Sequence, residues 1–384
     1  MVTPRFPYPT TKGDKLRMFQ AIRHVSRRHS VTLVAAADEP LRPGDVEEVA
    51  QYCKRVEVVP ISRARSVANV ALYGAISKQP LQTLYYRSAR MRERVRQVLA
   101  ESQFDVVHAS LIRILPYLWD IPTPVVIDLV DSFARGLDIR AQTVSPLLRP
   151  AYRLEAERVR RYEQAACQRF AQLYVTAEPD RKAIGAANVS VMRACVDLEE
   201  YTFRREGRSD DLVVMTGNMG YQPNVDAVAW FAHEVWPLVR AQRPAATFRI
   251  VGTRPPQATL DLDGRDGITV VGWVENVSTE LHAAGVAVCP VRVGSGLQIK
   301  VLEAMATGTP IVATSFGNAG IGAAPDREIA VADEPAAFAS ELLALLADPA
   351  ARDRQAAAAH DFVEREFSWN AGADKIERLY EASV

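Results

Sequence analysis

Cysteine is scarce. The 384 residues hold four, Cys53, Cys167, Cys195 and Cys289, with no C-x-x-C pair and no Cys/His cluster at metal-ligand spacing. That excludes a disulfide-built scaffold and a structural zinc site, and it points to a reducing compartment. Cys289 lies in an apolar strand and reads as a small buried hydrophobe. No apolar run approaches the ~18–20 residues that a membrane-spanning helix needs. Pro4 and Arg5 interrupt the start, where a signal peptide would carry its apolar stretch. The expectation is a cytoplasmic protein, at most peripheral at the inner face of a membrane. There is no solenoid repeat, and no low-complexity tract beyond an Ala-rich helix near 355–360. No Asp-x-Asp stands at a strand end, so no metal is implied, and no nucleic-acid partner is expected.

Net charge is also absent, but only as a sum of two unequal halves. Residues 1–205 carry 32 Lys+Arg against 22 Asp+Glu, and residues 206–384 carry 14 against 24. The length exceeds one ordinary core, so two domains are the prior. Apolar content of 48% and charged content of 24% are those of a globular chain. The charge step coincides with a polar stretch, EEYTFRREGRSDD, which reads as a linker. The basic half suits an anionic partner, and its long Arg-rich helix at 148–170 and the run RSARMRERVR at 87–96 are the segments expected to lie on anionic lipid.

Each half alternates strand and helix signals. HSVTLVAAA, RVEVVPI, FDVVHAS, TPVVIDLVDS and QLYVTAE read as buried strands, with helical periodicity at 14–28, 44–54, 89–102 and 148–170 between them. After the polar stretch the pattern restarts: DLVVMTG, ATFRIVG, GITVVGWV and VAVCPVR are strands, with helices at 224–242 and 277–285. The spacing predicts an α/β fold of two Rossmann-like domains, each a parallel sheet covered on both faces. Ligands of such sheets sit beyond the carboxyl ends of the strands, where Gly217, Gly252, Gly272 and Gly294 fall.

The most informative string is GSGLQIKVLEAMATGTPIVAT, from Gly294 to Thr314. A Gly-x-Gly loop feeding a helix N-terminus offers free backbone N–H groups and a positive dipole end, a ready site for a diphosphate. Lys300 adds a mobile cation in the first turns. Glu303, one turn on, can accept hydrogen bonds from a ribose diol.

These motifs, in the order TGNMGYQPNVDAVAWF, FRIVGTRPP, VVGWVENVSTEL, VCPVRVGSGLQIKVLEAMATGTPIVAT and FSW, resemble the nucleotide-binding domain of GT-B fold glycosyltransferases, within them the retaining group called family 4. The opening PRFPYPTTKGDKLR and VIDLVDS resemble a subgroup found with bacterial exopolysaccharide and protein-sorting (PEP-CTERM) systems. The resemblance implies an N-terminal acceptor-binding domain at 1–205, a nucleotide-sugar-binding domain at 206–367, and a helix at 368–384 packing back on the first. It implies a UDP- or GDP-sugar donor, no further cofactor, and transfer with retention to a hydroxyl acceptor that is a glycan, a lipid-linked sugar or a small molecule. Glu303 matches the second acid of the family's E-x7-E motif. Gly294, Gly296, Leu297 and Gln298 fall where the diphosphate and sugar are met, and Trp273 and Val274 where the base is read. Gly13 falls in the loop that closes over the phosphates.

The departures are specific. The first acid of E-x7-E falls at Ser295, so the sugar hydroxyls are met by Ser295 or Gln298. The family's diphosphate-clamping Arg and Lys fall at Asn218 and Pro223, leaving Lys300, Arg254 and Arg292 as cations, or a backbone nest alone. The family's acceptor-side His has no counterpart, and His108, Asp128, Asp131 and Ser132 stand nearby, Asp131 being the candidate proton acceptor. The catalytic expectation therefore rests on Lys300, Glu303 and Asp131. A non-catalytic partner protein that kept the fold, and a nucleotide-sugar epimerase, are the alternatives.

Overall fold

Two all-parallel sheets contain the expected strands and, besides them, short strands that the sequence reading did not name, at Val2–Thr3, Val189–Val191 and Ala330–Val331. The first contains β1 (Val2–Thr3), β2 (Thr32–Ala37), β3 (Arg55–Pro60), β4 (Val107–Ser110), β5 (Val125–Val130), β6 (Gln172–Val175) and β7 (Val189–Val191), in the order β3-β2-β1-β4-β5-β6-β7. The second contains β8 (Ser209–Thr216), β9 (Thr247–Val251), β10 (Ile268–Gly272), β11 (Ala284–Cys289), β12 (Ile311–Ala313) and β13 (Ala330–Val331), in the order β10-β9-β8-β11-β12-β13. Continuous apolar strands such as TLVAAA and AGVAVC form here because helices cover both sheet faces. The computed structural model describes the chain except Thr11, Lys12, Ala194, Gly294, Ser295 and Gly296. It divides into Met1–Arg193 with Gly372–Val384, and Ala194–Ala371. β1 holds the centre of its sheet with two residues, Val2 pairing Val34 on one side and Ala109 on the other.

The polar stretch after residue 198 is not a linker. The division falls at 193/194, and the stretch is docked on the second unit. Arg208 is the reason. Its guanidinium donates to the carbonyls of Leu281, Ala284, Arg204 and Thr307 and to Thr309 Oγ1, at 2.7–3.1 Å. Burial lowers its pKa to about 10, with Arg352 as the next cause. Nη1 and Nη2 of one planar group thus tie the segment to the turn that follows the Lys300 helix.

The helix of the DAVAWF motif is interrupted. Gln222–Trp230 and Trp236–Gln242 are α-helical, and Phe231–Val235 forms a π turn in which Trp236 N–H donates to the Phe231 carbonyl. Pro237 explains it: without an N–H and with a bulky ring, it cannot extend an α-helix across His233, and the wider turn makes room. The helix Trp369–Glu381 carries the chain into the first unit, where Arg28 donates to Asp374 and Glu377 at 2.8 and 2.6 Å.

Candidate functional site

The second sheet reverses its strand order between β8 and β11, so the loops leaving those two strands border one crevice at their carboxyl ends. The β8 loop starts at Gly217 with φ 149°, and Gly252, at φ 155°, follows β9. A Cβ on Gly252 would fall on the Gly217 carbonyl, so glycine at 252 is required for the two loops to approach. A Cβ on Gly217 would lie 3.2 Å from Lys300 Nζ. The ammonium is therefore seated on the bare backbone at the end of β8.

Lys300 lies in the helix Ile299–Ala306, and its Nζ donates to Asn224 Oδ1 at 2.5 Å. Asn224 is buried in the first turn of the next helix, and its Nδ2 donates to the Asn218 carbonyl at 2.9 Å. One amide thus locks the β8 loop and aims the lysine. Burial lowers the Lys300 pKa, while Cys289 and Glu303 act in the opposite direction. Glu303, on the same helix, has its pKa raised by burial, against a hydrogen bond from Tyr201 Oη to Oε1 at 3.1 Å. A half-desolvated cation and a half-desolvated acid three residues apart are groups that gain from an incoming polar ligand.

The other expected donor-side residues divide. Arg254 is exposed, with φ 57°, and its stem lies over Gly220 in the β8 loop, so it joins Lys300 at the same crevice. Asn218 Oδ1 accepts from Gly220 N–H at 2.9 Å and shapes that loop. Arg292 does not join them: it pairs with Asp226 at 3.0 Å and stacks on the Trp230 ring at 5.2 Å. Gln298 is buried at the helix start, and Leu297 packs on the core. Trp273 is 70% exposed beyond β10, whereas Val274 packs on the core. Gly294, Ser295 and Gly296 lie outside the described residues. The sequence reading missed Asn224 and Tyr201. Asn224 left a trace, a poor helix former just inside a helix start after Pro223. Tyr201 left none.

In the first unit, three of the four acceptor-side residues prove to be buried. His108 is buried, its Nδ1 2.7 Å from Tyr380 Oη and its Nε2 2.9 Å from Tyr174 Oη. Burial drives its pKa down to about 3, with smaller contributions from the N-terminal ammonium and Arg17. Both ring nitrogens are occupied, so no proton moves to an acceptor there. Asp128 is buried against Arg17 Nε at 2.6 Å. Ser132 caps the helix Phe133–Thr143 and donates to Glu163 at 3.0 Å. Burial lifts the Glu163 pKa to about 7 against those hydrogen bonds. Only Asp131 is presented at the surface. Val130 before it takes φ 65°, a rare state for a β-branched residue, and Thr176 Oγ1 donates to Asp131 Oδ1 at 3.0 Å. Gly13 begins the helix Gly13–Val25, with open space around its Cα. Among the described residues no group of three or more His, Cys, Asp or Glu could hold a metal, and no helix is long and apolar enough to cross a membrane.

Residues 210–348 match the family described as glycosyl transferases group 1. Glycogen synthase of Mycobacterium tuberculosis is 28% identical over 212 residues, 52% of this chain and 50% of that protein. A GDP-mannose-dependent monoacylated alpha-(1-6)-phosphatidylinositol monomannoside mannosyltransferase of Corynebacterium glutamicum is 31% identical over 158 residues, 38% of this chain and 42% of that protein. The chain thus spans about half the length of the curated relatives it matches. The structure of Anabaena HepE in complex with UDP superposes with a TM-score of 0.64 at 14% identity, covering 99% of both chains. The fold is GT-B, and the stretch that matches glycosyl transferases group 1 lies within the second unit.

Proposed function

We propose, starting from a group 1 domain on a GT-B fold, that this protein moves a sugar from a nucleoside diphosphate-sugar to a hydroxyl acceptor with retention at the anomeric carbon. The observation that carries the reading is Lys300, whose ammonium is held by Asn224 over the bare backbone of Gly217 at the sheet's switch point, with Glu303 behind it. The half that binds the donor carries 24 acidic against 14 basic residues, so its overall field repels a diphosphate. Affinity must then come from local groups: Lys300, Arg254 and the amides at the helix start. The same cation stabilises charge on the departing diphosphate, a role whose removal typically costs about 10²–10³ in rate. Glu303 takes the ribose hydroxyls and Trp273 offers its exposed ring to the base. On the front face, the bond from the anomeric carbon to phosphate oxygen breaks, the acceptor oxygen bonds that carbon, and its proton passes to the leaving phosphate. No strong protein base is required on this route, and Asp131 orients the acceptor hydroxyl. HepE was seen with UDP, and the mannosyltransferase is named for GDP-mannose. The donor is one of these two classes, and the acceptor is a glycan, a lipid-linked sugar or a small molecule in bacterial polysaccharide or glycolipid synthesis.

The test is a melting-temperature screen against UDP, GDP, ADP and their sugars. One nucleotide should raise the melting temperature, and Lys300→Ala and Glu303→Ala should abolish the rise. Proton NMR of the product then gives the anomeric configuration. A folded protein that no nucleotide stabilises would favour the non-catalytic reading, for which Asn218 and Pro223 in the place of Arg and Lys speak. An isomerised nucleotide-sugar formed without acceptor would favour the epimerase.

A further inference from the structure

The first unit exposes large apolar side chains in one region. Leu147 is 92% exposed, Ile76 79% and Leu72 68%, joined by Val67, Tyr73, Leu148 and Leu154. Single exposed hydrophobics need no explanation, but a contiguous set does. Here the contiguity is anchored by hydrogen bonds. Arg158 Nη1 donates to the Gly74 carbonyl at 2.8 Å, and Leu81 N–H donates to Glu155 Oε1 at 2.6 Å. These bonds seat the turn that carries Ile76 and Lys78 against the helix that carries Leu154. Leu147 and Leu148 immediately precede that helix, and Leu72 and Tyr73 end the helix Arg63–Tyr73.

Charge marks the same region. From Ile61 to Arg92 there are six Lys or Arg and no Asp or Glu, and from Ile139 to Leu154 three and none. Several other arginines of the basic half are paired with acids of the same unit. In the helix Arg149–Arg169, Arg160 and Arg161 bind Glu157, and Arg160 also binds Asp138. In the helix Ala89–Glu101, Arg94 binds Glu57. Part of the basic charge on those two helices is thus answered by acids of the same unit. Arg65, Lys78, Arg149 and Arg153 stand instead beside the exposed leucines and Ile76 in the chain.

We propose that this apolar patch, Leu72, Ile76, Leu147 and Leu154 within a rim of Arg65, Lys78, Arg149 and Arg153, docks on the surface of an anionic lipid bilayer. Apolar side chains enter the headgroup boundary while cations meet lipid phosphates, the two-part attachment of an interfacial protein. The proposal does not depend on the donor site.

Co-sedimentation of the full chain with vesicles tests it. Vesicles containing phosphatidylglycerol should pull the protein down, and pure phosphatidylcholine vesicles should not, with binding lost in high salt. Ile76→Asp with Leu147→Asp should weaken binding more than tenfold. Lys78→Glu with Arg153→Glu should weaken it roughly 25-fold, at about fivefold per cation lost near the surface. None of the four is among the donor-binding residues, so far-UV circular dichroism and any nucleotide-induced melting shift should be unchanged. Failure of the wild type to bind phosphatidylglycerol vesicles, equal binding to neutral ones, or unchanged binding by both double variants would overturn the proposal. So would a wild-type dimer in light scattering that the apolar variant makes monomeric without altering vesicle binding, since the patch would then belong to a second copy.

Discussion

Asn224→Ala removes two hydrogen bonds at once: the acceptor 2.5 Å from Lys300 Nζ and the donor 2.9 Å from the Asn218 carbonyl. A hydrogen bond to a charged group contributes about 1.5–3 kcal/mol and a neutral one about 1 kcal/mol, so the variant should lose about 2.5–4 kcal/mol. Lys300→Met behaves differently. It deprives Asn224 Oδ1 of its donor but also deletes a cation that burial disfavours, while the stem still packs, so its cost should stay within about 1.5 kcal/mol. In the double variant the Asn224 acceptor has nothing left to meet, and the cycle should give a coupling energy of about 1.5–3 kcal/mol. Urea unfolding followed by tryptophan fluorescence is the assay. Trp230, Trp236, Trp273 and Trp369 all lie in Ala194–Ala371, and Trp119 alone lies outside it, so the signal reports the right unit. Nucleotide affinity should fall at least about tenfold in Asn224→Ala, equal to about 1.4 kcal/mol of lost positioning. A coupling below about 0.5 kcal/mol, or a wild-type nucleotide affinity in Asn224→Ala, would refute the idea that Asn224 aims the cation.

Other substitutions probe separate links. Gly252→Ala drives a methyl group into the Gly217 carbonyl at φ 155° and should cost more than about 3 kcal/mol; a melting temperature within about 2 °C of wild type would contradict the close-approach argument. Glu303→Gln keeps an oxygen for Tyr201 but removes a carboxylate whose pKa burial has raised. Ionised Glu303 opposes folding above its folded pKa, and that opposition fades as pH falls through it, so the variant should melt higher than wild type at pH 8, the gain shrinking towards pH 5, while losing any nucleotide-induced shift. A lower melting point at pH 8 would count against this. His108 titrates near 3 in the fold and near 6.5 unfolded, so the unfolded chain takes the proton first. Its contribution is complete above pH 6.5 and drains away on acidification at up to about 1.4 kcal/mol per pH unit. His108→Asn should flatten that slope in urea titrations followed by far-UV circular dichroism, and an unchanged slope would place the acid sensitivity elsewhere.

Much of the fold was legible because parallel strands buried on both faces write themselves as short apolar runs. TLVAAA, VVIDLV and AGVAVC needed no partner to be recognised. The Lys300–Glu303 helix was equally plain, since glycines, cation and acid are contiguous there. What stayed hidden depends on pairings across sequence. Asp128 looks like a surface acid at a strand end until Arg17, 111 positions earlier, is folded against it. His108 reads as a strand-end histidine until Tyr380, 272 positions later, reaches it. The stretch EEYTFRREGRSDD has a linker's composition, yet Arg208 satisfies four carbonyls, which no local pattern announces. Arg292 had the right charge for a diphosphate, but the helix bearing Asp226 and Trp230 holds it.

The return of the chain to its first unit has a consequence for biosynthesis. Tyr380 supplies the partner of His108 Nδ1, and Asp374 and Glu377 supply those of Arg28. On the ribosome the first sheet emerges early, but these partners are translated only after the whole second unit. The nascent first unit must therefore wait through that synthesis with Tyr174 on His108 Nε2 and nothing yet on Nδ1. Its completion follows, rather than precedes, the making of the unit that interrupts it.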